Sequence, residues 1–205
     1  VLTPHLFAAE ALTSLRRRGK LAARCYGIAT DYTCIPFWEE TDCDYYIVAH
    51  KDLMEEYVNK GIAREKLLPF GIPVGLKFGE KTPTWRSRLH LQLPLDPPVF
   101  LVMGGSMGFG SIQDFTRKLR AHCRRGEHVV IICGRNQKMQ TALTEEFSSN
   151  PLVHILGFTD RVSEYMDACD VIFTKPGGLT STEAATKRIP IVHTLPIPGC
   201  ETKNR

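Results

Sequence analysis

The sequence predicts an α/β protein built on parallel sheets that helices cover on both faces. Short apolar runs alternate along the chain with segments whose apolar residues recur at helical spacing. In the second half the apolar runs are continuous, which is typical of parallel strands buried on both faces. Glycine-rich turns directly follow two of these runs. Together the three observations predict doubly wound domains in which strands and helices alternate.

Residues 1–70 are expected to form part of a first domain. Its first helix, Phe7–Arg18, has apolar residues at helical spacing and stops at Gly19. The last element is a short strand that begins at Leu67-Leu68. Between them we predict two strands and one helix, at Cys25–Thr30, Tyr45–Ala49 and Lys51–Lys60 respectively.

Residues 71–97 are rich in Gly, Pro and charged side chains, which predicts a linker between two domains, with one short helix at Pro83–Leu91. Residues 98–205 then predict a second domain. It opens with an apolar strand at Val99–Met103 and continues with a helix that ends near Arg125. Its later elements alternate strand and helix, at Val129–Cys133, Gln137–Phe147, Val153–Leu156, Asp160–Ala168, Val171–Thr174, Thr180–Lys187 and Ile191–His193.

Composition excludes several classes of protein. With 205 residues, 43% hydrophobic and 23% charged, the chain is not disordered, collagen-like or a coiled coil. A net charge of +4 is too small to indicate a nucleic-acid-binding protein. No apolar run approaches the roughly 18 residues that a membrane-spanning helix needs. The chain begins with Val1 and shows no charged-then-apolar leader, so we expect a fragment without a signal peptide.

The cysteines and the basic clusters give weaker signals. Seven cysteines form no CxxC pair, which favours reduced, mostly buried thiols in a cytosolic protein over a zinc site. Basic residues cluster at Arg16-Arg17-Arg18, followed by Lys20, and at Arg124-Arg125. Such clusters can contact anionic lipid or phosphate. On charge alone, however, solvated helix ends explain them better.

The first glycine-rich turn spans residues 104–111, between a buried strand and a helix. A helix N-terminus at the end of a strand presents free backbone N–H groups to an anion. Ser111 stands where the Walker pattern requires Lys, so a P-loop NTPase is excluded. The dinucleotide pattern GxGxxG finds no register, and Gly134-Arg135 replaces an acidic ribose ligand. The turn therefore predicts phosphate contact of another kind, or a tight turn without a ligand.

A second glycine-rich turn, Lys175-Pro176-Gly177-Gly178, follows a later strand. Gly177 and Gly178 permit a close approach of the backbone to a ligand. Thr180 and Glu183 have the spacing of a capping box, which would need no ligand. Two such turns in one doubly wound domain indicate a nucleotide diphosphate between them.

These motifs occur in the order found in one enzyme family. The chain resembles the family 28 glycosyltransferases, and is most similar to the diacylglycerol glucosyltransferases and monogalactosyldiacylglycerol synthases. The peptidoglycan N-acetylglucosaminyltransferase is a more distant relative. The resemblance covers essentially the whole chain and rests on Thr30-Asp31-Tyr32, Trp38, Gly71-Ile72-Pro73-Val74, the GGSMG turn, Gly157-Phe158-Thr159, KPGGLTSTE and Pro196-Ile197-Pro198-Gly199 followed by Asn204.

The resemblance implies the GT-B fold, with two Rossmann-like doubly wound domains and a UDP-sugar held by the second. Glu183 would accept hydrogen bonds from the ribose hydroxyls from the first turn of its helix. Asn204 would contact the sugar, and Gly157 and Phe158 would border the uracil. The diphosphate would lie along Gly105, Ser106, Gly108, Gly177 and Gly178, beside Leu179 and Thr180.

The resemblance also implies displacement at the anomeric carbon with inversion, without a metal ion or other cofactor. Asp31, at a strand end, is the expected base for the acceptor hydroxyl, and His5 is the second candidate. The acceptor would be a membrane lipid, most simply diacylglycerol. Phe37 and Trp38 would offer it an apolar platform, while Arg16, Arg17 and Arg18 would meet an anionic membrane surface.

The same resemblance places the protein at the cytoplasmic face of the plasma membrane, peripherally attached, with no nucleic-acid partner. The family's amino-terminal glycine loop and final helix are not found in the chain, so we expect this fragment alone to be inactive. Two other functions remain open. The chain could hold UDP without turnover, or it could resemble a UDP-N-acetylglucosamine 2-epimerase, which shares the fold and the donor.

Overall fold

The computed structural model describes residues 1–104 and 112–194 of the chain, which divides into two compact units. The first unit comprises Val1–Pro73, and the second begins at Val74. Each unit holds one parallel sheet. The α/β class predicted from the alternation of apolar runs and helical segments is confirmed.

The first unit has a four-stranded parallel sheet in the order β1-β2-β3-β4. Its register pairs Thr3 with Gly27 and Gly27 with Tyr46. Short 3₁₀ turns lie at Trp38–Glu40, Lys51–Leu53 and Arg64–Lys66. The regular elements are β1 Leu2–Thr3, α1 Leu6–Arg17, β2 Tyr26–Ile28, β3 Tyr45–Ile47, α2 Met54–Asn59 and β4 Leu67–Leu68.

Helix α1 ends where the sequence indicated. Gly19 follows it with φ +69°, a left-handed conformation that side chains disfavour. The helix buries Ala9 and Thr13 against the sheet, and the Thr13 hydroxyl donates to the Ala9 carbonyl oxygen at 2.9 Å. The same oxygen of Thr13 accepts from the backbone N–H of Asp42 at 2.8 Å. One buried hydroxyl therefore ties α1 to the loop before β3.

The second unit has a five-stranded parallel sheet in the order β7-β6-β5-β8-β9. The chain starts at the central strand, runs outwards through β6 and β7, and then crosses to the other side at β8. This reversal is the switch point of a doubly wound sheet. The elements are α3 Leu76–Gly79, α4 Thr84–Leu91, β5 Val99–Met103, α5 Ile112–His122, β6 His128–Ile132, α6 Gln137–Phe147, β7 Val153–Leu156, α7 Val162–Ala168, β8 Val171–Thr174, α8 Gly178–Thr186 and β9 Ile191–His193.

Two layers of side chains cover the second sheet. One face packs Leu101, Val130 and Ile172 against residues of α7 and α8, including Met166 and Ala184. The other face packs Val102, Val129 and Ile131 against α5 and α6, which contribute Ile112 and Leu143. The strands are apolar on both faces for this reason, as the continuous runs in the sequence predicted.

The stretch expected to be a linker contains α3 and α4, and both pack within the second unit. Buried Arg88 of α4 donates to the carbonyl oxygens of Ala168 at 2.9 Å and Leu95 at 2.7 Å. It also pairs with Asp170 at 2.7 Å, whose carboxylate accepts from the Val99 N–H at 2.7 Å. Arg88 therefore anchors α4 to the start of β5 and the end of α7.

A buried ion pair joins the C-terminal end of α8 to α7. Lys187 Nζ lies 2.6 Å from Asp167 Oδ2, and the two side chains are 1% and 2% exposed. The Lys187 ammonium also donates to the Glu80 carbonyl oxygen, and the Thr82 N–H donates to Asp167 at 3.2 Å. The pair thus links α7, α8 and the segment between α3 and α4.

Most element boundaries agree with the sequence within a few residues, and the differences fall at the ends of helices and strands. Helix α8 begins at Gly178 rather than Thr180, and α5 ends at His122 rather than near Arg125. Strand β1 and helix α3 were not predicted. They contain two and four residues, too few for a periodic pattern to be visible.

We expect Lys187→Met to lower the free energy of unfolding by about 3–5 kcal/mol, because Asp167 would keep a buried charge without its partner. Removing both charges in Lys187→Met/Asp167→Leu should restore most of that loss. Urea denaturation measures the stability of both variants. Lys138→Met, at an exposed position of α6, is the matched control. Equal destabilisation by the two single lysine substitutions would contradict the role of the pair.

Candidate functional site

The candidate site lies at the carboxyl ends of β5 and β8, the neighbouring strands at the switch point. Gly104 follows β5, and the turn at residues 175–177 follows β8. Ligands of doubly wound sheets bind in the crevice outside such strand ends. Four predicted donor-binding residues lie outside the described residues, namely Gly105, Ser106, Gly108 and Asn204.

The N-terminus of α8 opens directly from the second glycine turn. Gly177 is the N-cap residue, with φ −83° and ψ 141°, and it has no side chain with which to cap the helix. Thr180 lies inside the helix, so its interpretation as the first residue of a capping box is wrong. The first-turn N–H groups of α8 therefore have no capping side chain, which suits an anion. Exposed Leu179 and half-buried Thr180 lie on this first turn.

Glu183 lies on the second turn of α8, because the helix begins two residues earlier than predicted. Its side chain is half-buried and has no hydrogen-bond or ion-pair partner within the described part of the chain. Burial raises the pKa of Glu183, and the nearby Lys77 ammonium partly offsets that rise. A half-buried carboxylate with unoccupied acceptor positions suits a ligand that brings two hydroxyl donors.

Lys77 on α3 is a site residue that the sequence reasoning missed. Its ammonium donates to the Asp160 carbonyl oxygen at 2.7 Å and lies 5.7 Å from the centre of the Phe78 ring. The same ammonium interacts electrostatically with Glu183. No sequence signal indicated this, since Lys77 and Glu183 are far apart in sequence and α3 is a single turn.

The carboxyl ends of β6 and β7 carry a second group of side chains. Phe158, which follows β7, is exposed, and the Arg135 guanidinium lies 5.3 Å from the centre of its ring. Arg135 follows β6 after Gly134, which has φ +59°. At Gly157, an added Cβ would come within 2.6 Å of Gln140 Oε1. Gly157 and Phe158 thus follow the carboxyl end of β7, and Arg135 lies beside them.

Another missed residue is His193 at the end of β9. Its Nε2 lies 3.1 Å from the hydroxyl of Ser181, a buried residue of α8. This hydrogen bond connects the edge strand to the helix that carries Glu183. A histidine at a strand end was visible in the sequence, but the pairing of β9 with β8 was needed to bring it to Ser181.

In the first unit, Asp31 and His5 follow neighbouring parallel strands. His5 comes after β1 at the N-cap of α1, where its N–H donates to Thr3 Oγ1 at 3.2 Å. Asp31 comes after β2, which pairs with β1. Carboxyl ends of paired parallel strands share one sheet edge, so both candidate bases lie at the same edge. Asp31 also interacts electrostatically with Tyr57 of α2.

Helix α2 holds the loop that follows Asp31. The Glu56 carboxylate accepts from the Thr33 hydroxyl and from the Cys34 N–H, both at 2.9 Å. Lys60 Nζ donates to the Cys34 carbonyl oxygen at 2.7 Å. These contacts order the loop beside Asp31, and burial raises the pKa of Cys34 to about 11.

The predicted apolar platform is only half present. Trp38 is 3% exposed and packs edge-on against Tyr46 with ring centres 6.0 Å apart, so its assignment to a lipid surface is wrong. Gly27 makes this packing possible, since a Cβ there would lie 2.9 Å from the Trp38 ring. Phe37 is exposed, with φ +80°.

The basic cluster at the end of α1 is likewise divided. Arg16 pairs with Asp44 at 2.9 Å and donates to the Asp42 carbonyl oxygen at 2.9 Å. The Arg16 guanidinium helps keep the pKa of Asp44 below its usual range, after the larger effect of the Cys25 N–H bond. The Arg16 side chain is therefore engaged within the first unit. Its assignment to a membrane surface is corrected accordingly. Arg17 and Arg18 are exposed.

The described residues contain no group of three or more potential metal ligands and no helix that is long and apolar enough to cross a membrane. Their cysteines are all free thiols. Burial raises the pKa of Cys133 to about 11 and that of Cys169 to about 12. These thiols are protonated at neutral pH, as expected of structural cysteines. Cys200 lies outside the described residues.

Comparison with known families assigns both units. Residues 1–74 match the monogalactosyldiacylglycerol synthase family, and residues 99–198 match the glycosyltransferase family 28 C-terminal domain. Processive diacylglycerol beta-glucosyltransferases are among the curated relatives. The protein from Staphylococcus saprophyticus is 35% identical over 182 residues, covering 86% of this chain and 45% of that protein. The one from Staphylococcus carnosus is 34% identical over 183 residues with the same coverage. The chain thus spans under half the length of these relatives.

Solved structures share the fold at low identity. HepE of Anabaena in complex with UDP has a TM-score of 0.63 at 14% identity, covering 94% of this chain and 58% of that one. MurG of Acinetobacter baumannii has a TM-score of 0.59 at 15% identity, with 96% and 53% covered. A UDP-N-acetylglucosamine 2-epimerase-like protein of Listeria monocytogenes has a TM-score of 0.63 at 12% identity, with 100% and 62% covered. The parallel sheets and these likenesses confirm the GT-B fold. With matches along both units, the chain resembles the family 28 glycosyltransferases over most of its length.

Proposed function

We propose that the protein is a hexosyltransferase that moves a sugar from a UDP-sugar to diacylglycerol in a membrane. The observation that carries the proposal is the site at the switch point between β5 and β8. There an uncapped helix N-terminus lies one turn from a half-buried carboxylate, Glu183, that has no hydrogen-bond partner among the described residues. The family matches along both units, and the diacylglycerol named for the relatives, support the choice of substrates.

In this proposal the second unit holds the donor. The first-turn N–H groups of α8 and the positive end of its dipole face the diphosphate. Glu183 accepts hydrogen bonds from the two ribose hydroxyls, and burial makes each bond stronger than it would be in water. Gly157 and Phe158 border the uracil, and the Arg135 guanidinium lies over the Phe158 ring.

Transfer then proceeds by a single displacement with inversion. Asp31 takes the proton of the acceptor hydroxyl as that oxygen forms its bond to the anomeric carbon. The bond between the anomeric carbon and the UDP oxygen breaks, and UDP leaves with the electron pair. Backbone N–H groups and the α8 dipole stabilise the charge on the departing diphosphate, so the reaction uses no metal ion. His5 is the alternative base.

An epimerase remains the second candidate, supported by the fold shared with the Listeria protein. The match of residues 1–74 to the monogalactosyldiacylglycerol synthase family favours the lipid acceptor. The proposal places the protein peripherally at the cytoplasmic face of the plasma membrane, where diacylglycerol presents its hydroxyl. Product analysis separates the candidates, because an epimerase changes the configuration at C2 of the donor sugar without forming a glycolipid, whereas a transferase yields a glycolipid and UDP.

Glu183→Ala should weaken UDP binding by about 1.5–3 kcal/mol, the usual value of a hydrogen bond to a charged group. Isothermal titration with UDP measures the loss of affinity. Glu145→Ala, at an exposed position of α6, is the matched control. Thermal unfolding distinguishes a binding role from a structural one. Because burial penalises the charged carboxylate, Glu183→Gln should unfold at the same temperature as the native protein or a higher one. Normal UDP affinity in Glu183→Ala would refute the ribose assignment.

The raised pKa of Glu183 predicts a pH dependence of UDP binding. The carboxylate must be ionised to accept two hydrogen bonds, and burial favours its protonated form. UDP affinity should therefore fall, as pH is lowered, at a higher pH than an ordinary exposed carboxyl would require. Glu183→Gln should remove that component of the pH profile. A profile that is unchanged by this substitution would assign the titration to another group.

Gly177→Val should abolish UDP binding while the fold persists. The backbone of Gly177, at φ −83° and ψ 141°, is one that any residue adopts, so the added side chain strains no torsion. Its bulk would instead occupy the space expected for the diphosphate. Titration with UDP and with uridine tests this. Equal affinity of the native protein for the two ligands would show that the turn makes no phosphate contact.

Asp31→Asn should reduce sugar transfer by about 10²–10⁴-fold, the usual contribution of a general base. The affinity for UDP should stay unchanged, since Asp31 belongs to the first unit. Transfer of labelled glucose from UDP-glucose to diacylglycerol in mixed vesicles measures the rate in the full-length protein, since the fragment alone is expected to be inactive, with His5→Gln alongside. Full activity in Asp31→Asn together with loss in His5→Gln would transfer the role of base to His5.

A further inference from the structure

Helix α4 presents large apolar side chains to solvent. Trp85 is 59% exposed and Leu89 is 54% exposed. The two residues are four positions apart, so they lie next to each other on one helix face. Leu95, just beyond the helix, is also exposed. Neighbouring exposed apolar side chains of this size, with a tryptophan among them, are typical of an interaction surface.

Basic side chains border the apolar pair. Arg86 and His90 are exposed and follow Trp85 and Leu89 by one position each, which puts them along one side of the pair. Exposed Lys81 precedes the helix. Residues 81–95 contain no acidic side chain. We name the face formed by Lys81, Trp85, Arg86, Leu89 and His90 the α4 face.

Acidic groups do lie near one end of the α4 face. Glu164 of α7 is 3.3 Å from His90 Nδ1 and also accepts from Arg161 at 2.8 Å. Glu80 and Asp96 are exposed at the two ends of the segment. Because Glu164 is paired with Arg161, the surroundings of His90 are close to neutral, whereas Arg86 has no ion-pair partner among the described residues. The positive charge of the face is therefore centred on Lys81 and Arg86.

The α4 face belongs to a rigid element. Arg88, on the opposite side of the helix, is buried and hydrogen-bonded to Ala168, Leu95 and Pro97 carbonyl oxygens, at 2.9, 2.7 and 3.1 Å. Buried Ser87 lies beside it. With this side fixed to the unit, Trp85 and Leu89 cannot turn inwards without breaking the Arg88 network. The exposure of the pair is thus built into the way in which α4 packs.

The first unit offers a weaker surface of the same kind. Of the first-unit residues predicted to meet the lipid or the membrane, Arg16 is engaged by Asp44 and Trp38 is in the core, which leaves Arg17, Arg18 and Phe37 exposed. The α4 face combines a tryptophan, a leucine and unpaired basic side chains on one rigid helix. Tryptophan favours the polar boundary of a bilayer, and basic side chains are attracted to anionic headgroups.

We propose that the α4 face docks on the surface of an anionic lipid bilayer. Trp85 and Leu89 enter the boundary between headgroups and acyl chains, and Arg86 and Lys81 contact the lipid phosphates. The choice of a bilayer as partner rests in part on the proposed function, which requires access to a membrane lipid. The charge of the face argues independently for an anionic partner.

Vesicle co-sedimentation tests the proposal without any sugar donor. The protein is mixed with vesicles of phosphatidylcholine containing either no phosphatidylglycerol or 30% phosphatidylglycerol, a test composition. We expect binding to the anionic vesicles that falls steeply with added salt. Trp85→Ser/Leu89→Ser and Arg86→Glu should each weaken it at least fivefold. Leu15→Ser, which removes an exposed leucine from α1, is the matched control and should bind as the native protein does.

Tryptophan fluorescence adds a second measurement, which would not change if Trp85 had only a structural role. The chain has two tryptophans, and Trp38 is already buried. Anionic vesicles should therefore shift the emission of Trp85 to shorter wavelength and protect it from acrylamide. Trp85→Phe should keep most of the binding but lose the spectral change. A shift that persists in Trp85→Phe would overturn the proposal.

Other outcomes place the surface elsewhere. Normal binding by Trp85→Ser/Leu89→Ser, together with release of Arg17→Glu/Arg18→Glu, would assign docking to the first unit. A change from dimer to monomer in Trp85→Ser/Leu89→Ser, without any vesicle binding by the native protein, would make the α4 face a contact between copies. UDP titration of the same variants separates this proposal from the donor site, because vesicle binding can fail while UDP binding persists, or the reverse.

Discussion

The position of the candidate site at the start of α8 depends on the buried pair of Lys187 and Asp167. The pair ties the end of α8 to α7, and its contacts with Glu80 and Thr82 add the segment between α3 and α4. A helix is stiff over nine residues, so fixing its end and the strand that precedes it also fixes its N-terminus. The contacts at the C-terminal end of α8 therefore help to fix the positions of the first-turn N–H groups and of Glu183.

The same arrangement accounts for the chemistry available at the site. Packing α8 against the sheet half-buries Glu183, and the chain supplies Lys77 nearby but no hydrogen-bonding partner within the described residues. Half-burial of an ionised carboxylate opposes folding, yet it keeps the acceptor oriented and partly dehydrated before a ligand arrives. Functional groups that reduce stability in this way are common where a protein must bind a polar ligand.

The two units use their aromatic side chains differently. In the first unit the absence of a side chain at Gly27 lets Trp38 enter the core beside Tyr46. In the second unit Arg88 occupies the buried side of α4, so Trp85 remains outside. A tryptophan is therefore structural in one unit and available for contact in the other. Gly27 leaves room for Trp38 in the core, whereas Arg88 takes the buried side of α4.

The sequence by itself determined the α/β class, most of the strands and the glycine turn after β8, since apolar periodicity and glycine are local properties of the chain. It also singled out Glu183 through the motif in which it stands. Only the tertiary structure decided that Thr180 is no cap, that Trp38 is buried and Arg16 is paired, and that Lys77 lies near Glu183. These facts depend on contacts between residues distant in sequence, and burial or pairing is a property of both partners, which no local pattern contains.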